Sequence, residues 1–146
     1  MASLRSRCML LITVRTADAL ARAYHEVSPL ETCGFLLGAA RQLSLPIASE
    51  VLLSRIPPGE RASFEIPDCE LRRVCAYAQE RGLHIMALFH SHPSGDLRLS
   101  ESDRACLRYS EWPWVIITQS KGKAGVVLTG YASADASSIK VRVAFR

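Results

Sequence analysis

Cysteine is too sparse and too irregularly spaced in this chain to build a scaffold. Five occur, at positions 8, 33, 69, 75 and 106; the number is odd and no C-x-x-C pair is present. That points away from a disulfide framework and from a cysteine zinc knuckle, and it predicts reduced, mostly buried thiols. Long apolar runs are missing as well. The longest near the start, Cys8–Val14, is short and is interrupted by Arg15, so it reads as a first strand and not as a leader peptide. No stretch is long enough to span a membrane, and a cytoplasmic protein is expected. Nor is there a run of charge of one sign. The basic residues are scattered in pairs such as Arg72–Arg73, and the net charge of +4 is mild. No nucleic-acid partner is expected from such a distribution, although it favours an acidic partner at encounter. Repeats, low-complexity tracts and linkers are absent, which leaves one domain over residues 1–146.

Hydrophobic residues, by contrast, make up 49% of the chain. That is enough to bury a core without a structural metal, so a bound metal would serve chemistry. The apolar periodicity predicts strands at Cys8–Val14, Cys33–Ala40, Ile47–Ile56, His84–His90, Trp114–Thr118, Val126–Tyr131 and Ile139–Phe145. It predicts a helix capped by Thr16, with Leu20, Tyr24 and Val27 on one face and Pro29 beyond its end. A second helix opens at Pro67, carries Leu71, Val74, Cys75 and Ala78 at helical spacing and stops at Gly82. A third runs from Ser100 to about Tyr109. Pro57, Pro58 and Gly59 break the chain, Pro93, Ser94 and Gly95 form a loop, and Lys121–Gly125 forms a turn. The order β-α-β-β-α-β-α-β-β-β describes a mixed α/β (α+β) domain around one sheet, not a regular doubly wound one.

The chemistry concentrates in His90-Ser-His92-Pro93-Ser-Gly-Asp-Leu-Arg-Leu-Ser100-Glu-Ser-Asp103. Side chains two apart on a strand point the same way, so His90 and His92 can present two imidazoles to one point. Pro93 holds His92 extended. The loop that follows can bring Asp103, in the first turn of the next helix, to face the pair. Two imidazoles and a carboxylate with a fourth position open are the pattern of catalytic zinc, which lowers the pKa of bound water to about 7. Taken singly the parts are ordinary. Ser100-x-x-Asp103 is close to a capping box, and a lone His-x-His is often a surface or core pair. The combination is far more specific.

The segment resembles the JAMM (MPN-plus) motif, H-x-H-x(7)-S-x(2)-D, at each defined position. That family also carries an upstream glutamate in a context such as E-x-C-G-x-x-x-G, which here reads Glu31-Thr-Cys33-Gly34-Phe-Leu-Leu-Gly38, with Pro29 just before it. The element order agrees over nearly the whole chain, including Phe64-Glu-Ile-Pro-Asp ahead of the second helix. The resemblance implies a JAMM-type fold: a curved mixed β-sheet with packed helices, related to the cytidine-deaminase fold. Deaminase chemistry is not expected, because the H-x-E and P-C-x-x-C pattern is absent. The resemblance assigns His90, His92 and Asp103 to zinc. It makes Glu31 the acid–base residue and Ser100 the donor that steadies the tetrahedral oxyanion. Cys33 reads as a buried strand thiol, His25 and His84 as helix-surface and strand-start residues, Asp96 as a turn residue, and Trp112 and Trp114 as core or rim.

In function, the resemblance implies a metallopeptidase or isopeptidase acting after the C-terminal Gly-Gly of ubiquitin-like proteins. Deubiquitinases of this type carry insertions, for which this chain has little room: only Pro57–Ser63 separates the third strand from Phe64, and Asp103 to Trp112 is a helix and a turn. The compact form resembles prokaryotic JAMM proteins, and the expected substrate is a ubiquitin-like sulfur-carrier protein. Its extended tail would add as a strand at the sheet edge near the zinc. The competing readings are a deubiquitinase-like isopeptidase, a non-catalytic MPN scaffold, which the complete residue set argues against, and a basic nucleic-acid-associated protein, for which no motif is present.

Overall fold

The fold follows from where alternating apolar residues leave a face to cover. In a computed structural model, residues 9–39, 46–55, 66–119, 125–132 and 135–144 are described. The elements are β1 (Met9–Thr13), α1 (Val14–Val27), β2 (Cys33–Gly38), β3 (Ile47–Ala48), β4 (Glu50–Leu53), α2 (Asp68–Glu80), β5 (His84–Ser91), α3 (Glu101–Leu107), β6 (Trp114–Gln119), β7 (Val126–Tyr131) and β8 (Ser138–Ala144). The Pro57–Gly59 break, Phe64 and most of the Lys121–Gly125 turn lie outside the described residues, as do Cys8, Ala40, Ile56 and Phe145.

Two boundaries differ from the periodicity for identifiable reasons. The first helix is capped by Thr13 and not by Thr16: the Thr13 hydroxyl accepts from the Thr16 amide at 3.1 Å, so Thr16 sits buried inside the first turn. The predicted strand Ile47–Ile56 is two strands, because Ser49 leaves the ladder to donate its amide to the Leu37 carbonyl at 2.8 Å. Gly82 stops the second helix as expected. Its φ is +65°, and Leu83 and Gly82 donate to the carbonyls of Ala78 and Gln79, the paired bonds of a Schellman motif.

The strands form one eight-stranded sheet in the order β3-β1-β8-β7-β6-β5-β2-β4. Only Ser49 separates β3 from β4, yet they stand at opposite ends of that order. The chain therefore steps from one edge to the other and curls the sheet into a near-barrel. The sheet is mixed: β1 runs parallel to β3 and β8, and β5 to β6, while the remaining neighbours are antiparallel. Alternation divides the core between its faces. Leu36, Phe89, Val115 and Ile117 pack with Leu20 and Tyr24 of α1. Phe35, Leu37, Leu88 and Ile116 pack with Val74 and Ala78 of α2 and Leu107 of α3. Gly34 admits this packing, since a Cβ there would lie 2.5 Å from the Leu52 carbonyl oxygen and 2.7 Å from the Phe89 ring. The expectation of mostly buried thiols is corrected at two positions. Cys33 is buried, but Cys69 and Cys75 are exposed, because the inner face of α2 is filled by Glu70, Val74 and Ala78.

Candidate metal centre

The site forms where β5 ends on the face covered by α3. His90 follows Leu88 on that face and is 3% exposed, with its ring edge-on to the buried Trp114 at a centroid distance of 5.3 Å. His92 lies just past the strand, still extended: its amide donates to the Ile117 carbonyl at 2.9 Å, and the Thr118 hydroxyl donates to its carbonyl. The two Nε2 atoms come within 3.0 Å of each other. The loop then turns back through Gly95, whose φ is +88°. The Tyr131 hydroxyl pins it by donating to the Leu97 carbonyl at 2.7 Å, and Leu99 anchors its end in the core.

Asp103 arrives through helix capping. Ser100 is the N-cap of α3: its hydroxyl accepts from the Asp103 amide at 3.0 Å, and Asp103 Oδ2 accepts from the Ser100 amide at 3.1 Å. That reciprocal pair aims the buried carboxylate at the imidazoles, with Oδ1 3.5 Å from His90 Nε2 and Oδ2 3.3 Å from His92 Nε2. The capping box and the site are thus one arrangement. Burial pushes the Asp103 carboxyl up, but hydrogen bonds and charge from His90 and His92, with the Ser100 amide, outweigh it and hold the group well below the carboxylate range. Burial likewise pushes His92 down, and the Asp103 carboxylate, the Asp96 carbonyl and the charge of Glu31 carry it above its ordinary value.

A donor set of this kind fits zinc. One ligand atom each from His90, His92 and Asp103 lies within 4.8 Å of the others. The two Nε2 atoms lie 3.0 Å apart, one carboxylate oxygen is 3.3 Å from His92 Nε2 and the other 3.5 Å from His90 Nε2, distances close to the edge of about 3.3 Å between two ligand atoms of a tetrahedral zinc at about 2.0–2.1 Å. His92 Nδ1 donates to the Asp96 carbonyl at 2.8 Å, so in the neutral ring the lone pair is on Nε2 and faces the cluster, the usual way a ligand imidazole is oriented. Asp96 reads from sequence as a turn residue, and so it is, with its carboxylate bound to Arg98. Its backbone oxygen is the part that sequence reasoning missed, since a carbonyl leaves no trace in residue type.

Glu31 reaches the site through strand register. Cys33 pairs with His90, and the Thr32 carbonyl accepts from the Ser91 amide at 2.9 Å. Glu31, two residues before Cys33 and half-buried, is thereby brought to the same end of β5 as His92, whose imidazole feels its charge. Ser100 is exposed, and its hydroxyl also lies 3.0 Å from that of Ser102. His25 and His84 are exposed and stand apart from the cluster, and Trp114 is core. Glu70, which the sequence reading passed over, is 7% exposed and tied to Arg73 at 2.6 Å.

Residues 13–129 match the model of a family described as prokaryotic homologs of the JAB domain. No curated protein matches the sequence. Among solved structures, a protein from Desulfitobacterium hafniense is similar at 18% identity and a TM-score of 0.78, with 94% of each chain covered. A JAB1/MPN domain protein from Archaeoglobus fulgidus is similar at 15% identity and a TM-score of 0.61, covering 93% of this chain and 98% of that one. A structure described as a JAMM metalloprotease-like zinc site in the proteasome and signalosome is similar at 15% identity and a TM-score of 0.57, with the same coverage. These likenesses establish the curved α+β fold.

Proposed function

The chain belongs to the family of prokaryotic JAB-domain homologs, and from that premise we propose that it is a zinc-dependent hydrolase that cuts the amide bond after the C-terminal Gly-Gly of a ubiquitin-like sulfur-carrier protein. The observation that carries the reading is the convergence of His90 Nε2, His92 Nε2 and the Asp103 carboxylate, with the His92 tautomer set by the Asp96 carbonyl. Held by these three residues, zinc would supply an electrophile and activate water at neutral pH. A relative described as a metalloprotease-like zinc site supports amide hydrolysis as the chemistry.

The chain's own residues divide the remaining work. Glu31, whose charge reaches His92, takes a proton from the attacking water and returns it to the leaving nitrogen. Ser100 donates to the developing oxyanion through its exposed hydroxyl, while its backbone amide keeps Asp103 in place. The short His92–Ser100 loop, pinned by Tyr131 and Leu99, bounds the site. A tail without side chains passes beside it where a bulky residue would clash. The segments between elements leave little room for the extra surfaces that longer polyubiquitin-cutting enzymes carry, and this favours a small carrier.

The test joins elemental analysis with mass-spectrometric cleavage. Purified protein is expected to hold close to one zinc per chain, lost in a His90→Ala, His92→Ala double variant. A carrier fused to a short peptide, a carrier joined to a lysine side chain, isopeptide-linked diubiquitin and an unrelated peptide are then compared. Substituting either tail glycine by a large residue should lower kcat/KM far more than changing the group after it. Equal rates on the unrelated peptide reject carrier specificity, faster rates on diubiquitin move the assignment to a deubiquitinase, and absence of zinc after reconstitution leaves a non-catalytic scaffold.

A further inference from the structure

Among the described residues β4 is an edge strand, with β2 on one side only. Its backbone polarity is set by the register. The Ser54 amide donates to the Cys33 carbonyl at 3.0 Å, and Gly34 and Phe35 stand opposite Leu53 and Leu52. Antiparallel alternation then turns the backbone groups of Leu52 and Ser54 toward β2 and those of Val51, Leu53 and Arg55 outward. Outward N–H and C=O groups at an edge are a template for another strand.

Side chains of α2 occupy two of these groups. The Leu53 carbonyl accepts from Arg73 Nη2 at 3.3 Å, and the Arg55 amide donates to Glu70 Oε1 at 2.9 Å. Glu70 and Arg73 are joined to each other by two bonds, Nη2 to Oε1 at 2.6 Å and Nε to Oε2 at 3.1 Å. One turn further along the helix, the Tyr77 hydroxyl donates to the Glu50 carboxylate, so α2 follows the strand.

The pattern is that of a parallel neighbour. A residue of a parallel strand lying opposite Ser54 would give its N–H to the carbonyl of residue 53 and accept the N–H of residue 55. Arg73 and Glu70 supply that donor and that acceptor to those two groups. We infer that the Glu70–Arg73 pair is a side-chain substitute for a missing strand, closing the sheet edge at the end nearest the metal centre against strand addition by a second copy of this chain. A solvated i,i+3 ion pair would be worth little. This one is largely buried and matched to backbone polarity. It also bars an extended substrate tail from pairing with β4 at Leu53–Arg55 unless the pair is displaced. The edge addition expected from the sequence therefore meets a closed edge there.

The discriminating variant is the swap Glu70→Arg, Arg73→Glu. It preserves an i,i+3 ion pair but sets a donor against the Arg55 amide and an acceptor against the Leu53 carbonyl. Hydrogen exchange by NMR and sedimentation velocity over a range of concentrations, on the intact chain, read the result without any substrate. The swap is expected to speed exchange of the Arg55 amide by about tenfold, the worth of one hydrogen bond, and to raise concentration-dependent association above wild type. A folded swap variant with both readouts unchanged overturns the inference. If the swap does not fold, Arg73→Met carries the test: it removes the donor to Leu53 together with the two bonds to Glu70 but leaves the Glu70 acceptor in place, so association should rise while the Arg55 amide stays protected. No rise in association overturns the inference there.

Discussion

The orientation of His90, His92 and Asp103 is set in each case by a neighbouring group. His92 is turned by a backbone carbonyl, Asp103 by the amide of Ser100, and His90 is walled by Trp114. Glu31 is brought to the same end of β5 by the pairing of β2 with β5, and its charge acts on His92. Glu31→Gln should therefore keep both zinc and fold while losing activity by about 10² to 10⁴, the usual worth of general acid–base catalysis. Loss of zinc from that variant, by elemental analysis, would make Glu31 a ligand, and full activity would put the base elsewhere. Ser100→Ala separates two roles. Loss of the cap should cost about 1 kcal/mol in thermal unfolding, and loss of the oxyanion donor should lower kcat by about 10². A stability change with kcat intact would leave Ser100 only its capping role. The grouping of His90, His92 and Asp103 was legible in the sequence because its geometry is local: a spacing of two on a strand, then the first turn of a helix. The Asp96 carbonyl was not, because backbone atoms carry no residue signature.

Among the elements, α2 does more than its pattern announces. Its apolar spacing foretold Val74 and Ala78, yet placed Cys75 inside, where it is exposed, and overlooked Glu70. A buried acid on a helix is recognised only once the strand it meets is known. Hydrogen bonding and charge from Arg73, with the Arg55 amide and Ser54, bring Glu70 from an ordinary 4.5 down to about 2 against the opposing effect of burial. A pKa lower in the folded state than in the unfolded chain gives stability that is complete above about pH 4.5 and is lost as pH falls through about 2. Thermal midpoints measured from pH 5 to pH 2 should show that acid limb, and Glu70→Gln should flatten it. An unchanged limb in the variant would assign the acid sensitivity to other carboxylates.

For the whole molecule, two apolar layers on the faces of the curved sheet form the core. Phe35, Leu37, Phe89, Ile116 and Ile117 are fully buried, whereas His90, His92 and Asp103 stand where the β5 and α3 termini meet, so zinc is expected not to be needed for folding. Removing zinc with a chelator should leave the far-ultraviolet dichroism and a cooperative unfolding transition intact, with Tm lowered only by the lost binding energy. Collapse on chelation would show that the metal builds the fold.

What the sequence determined by itself is what near neighbours encode: the order and type of the elements, the stop at Gly82, and the grouping of His90, His92 and Asp103. Strand and helix periods act over a few residues, so they can be read without coordinates. The tertiary structure decided the rest. It split the Ile47–Ile56 run at Ser49 to bring the sheet edges round, brought Glu31 to the His92 end of β5, and buried Glu70 against β4. Each of these depends on which distant segment lies alongside, and that is chosen by packing over the whole core, not by any local repeat.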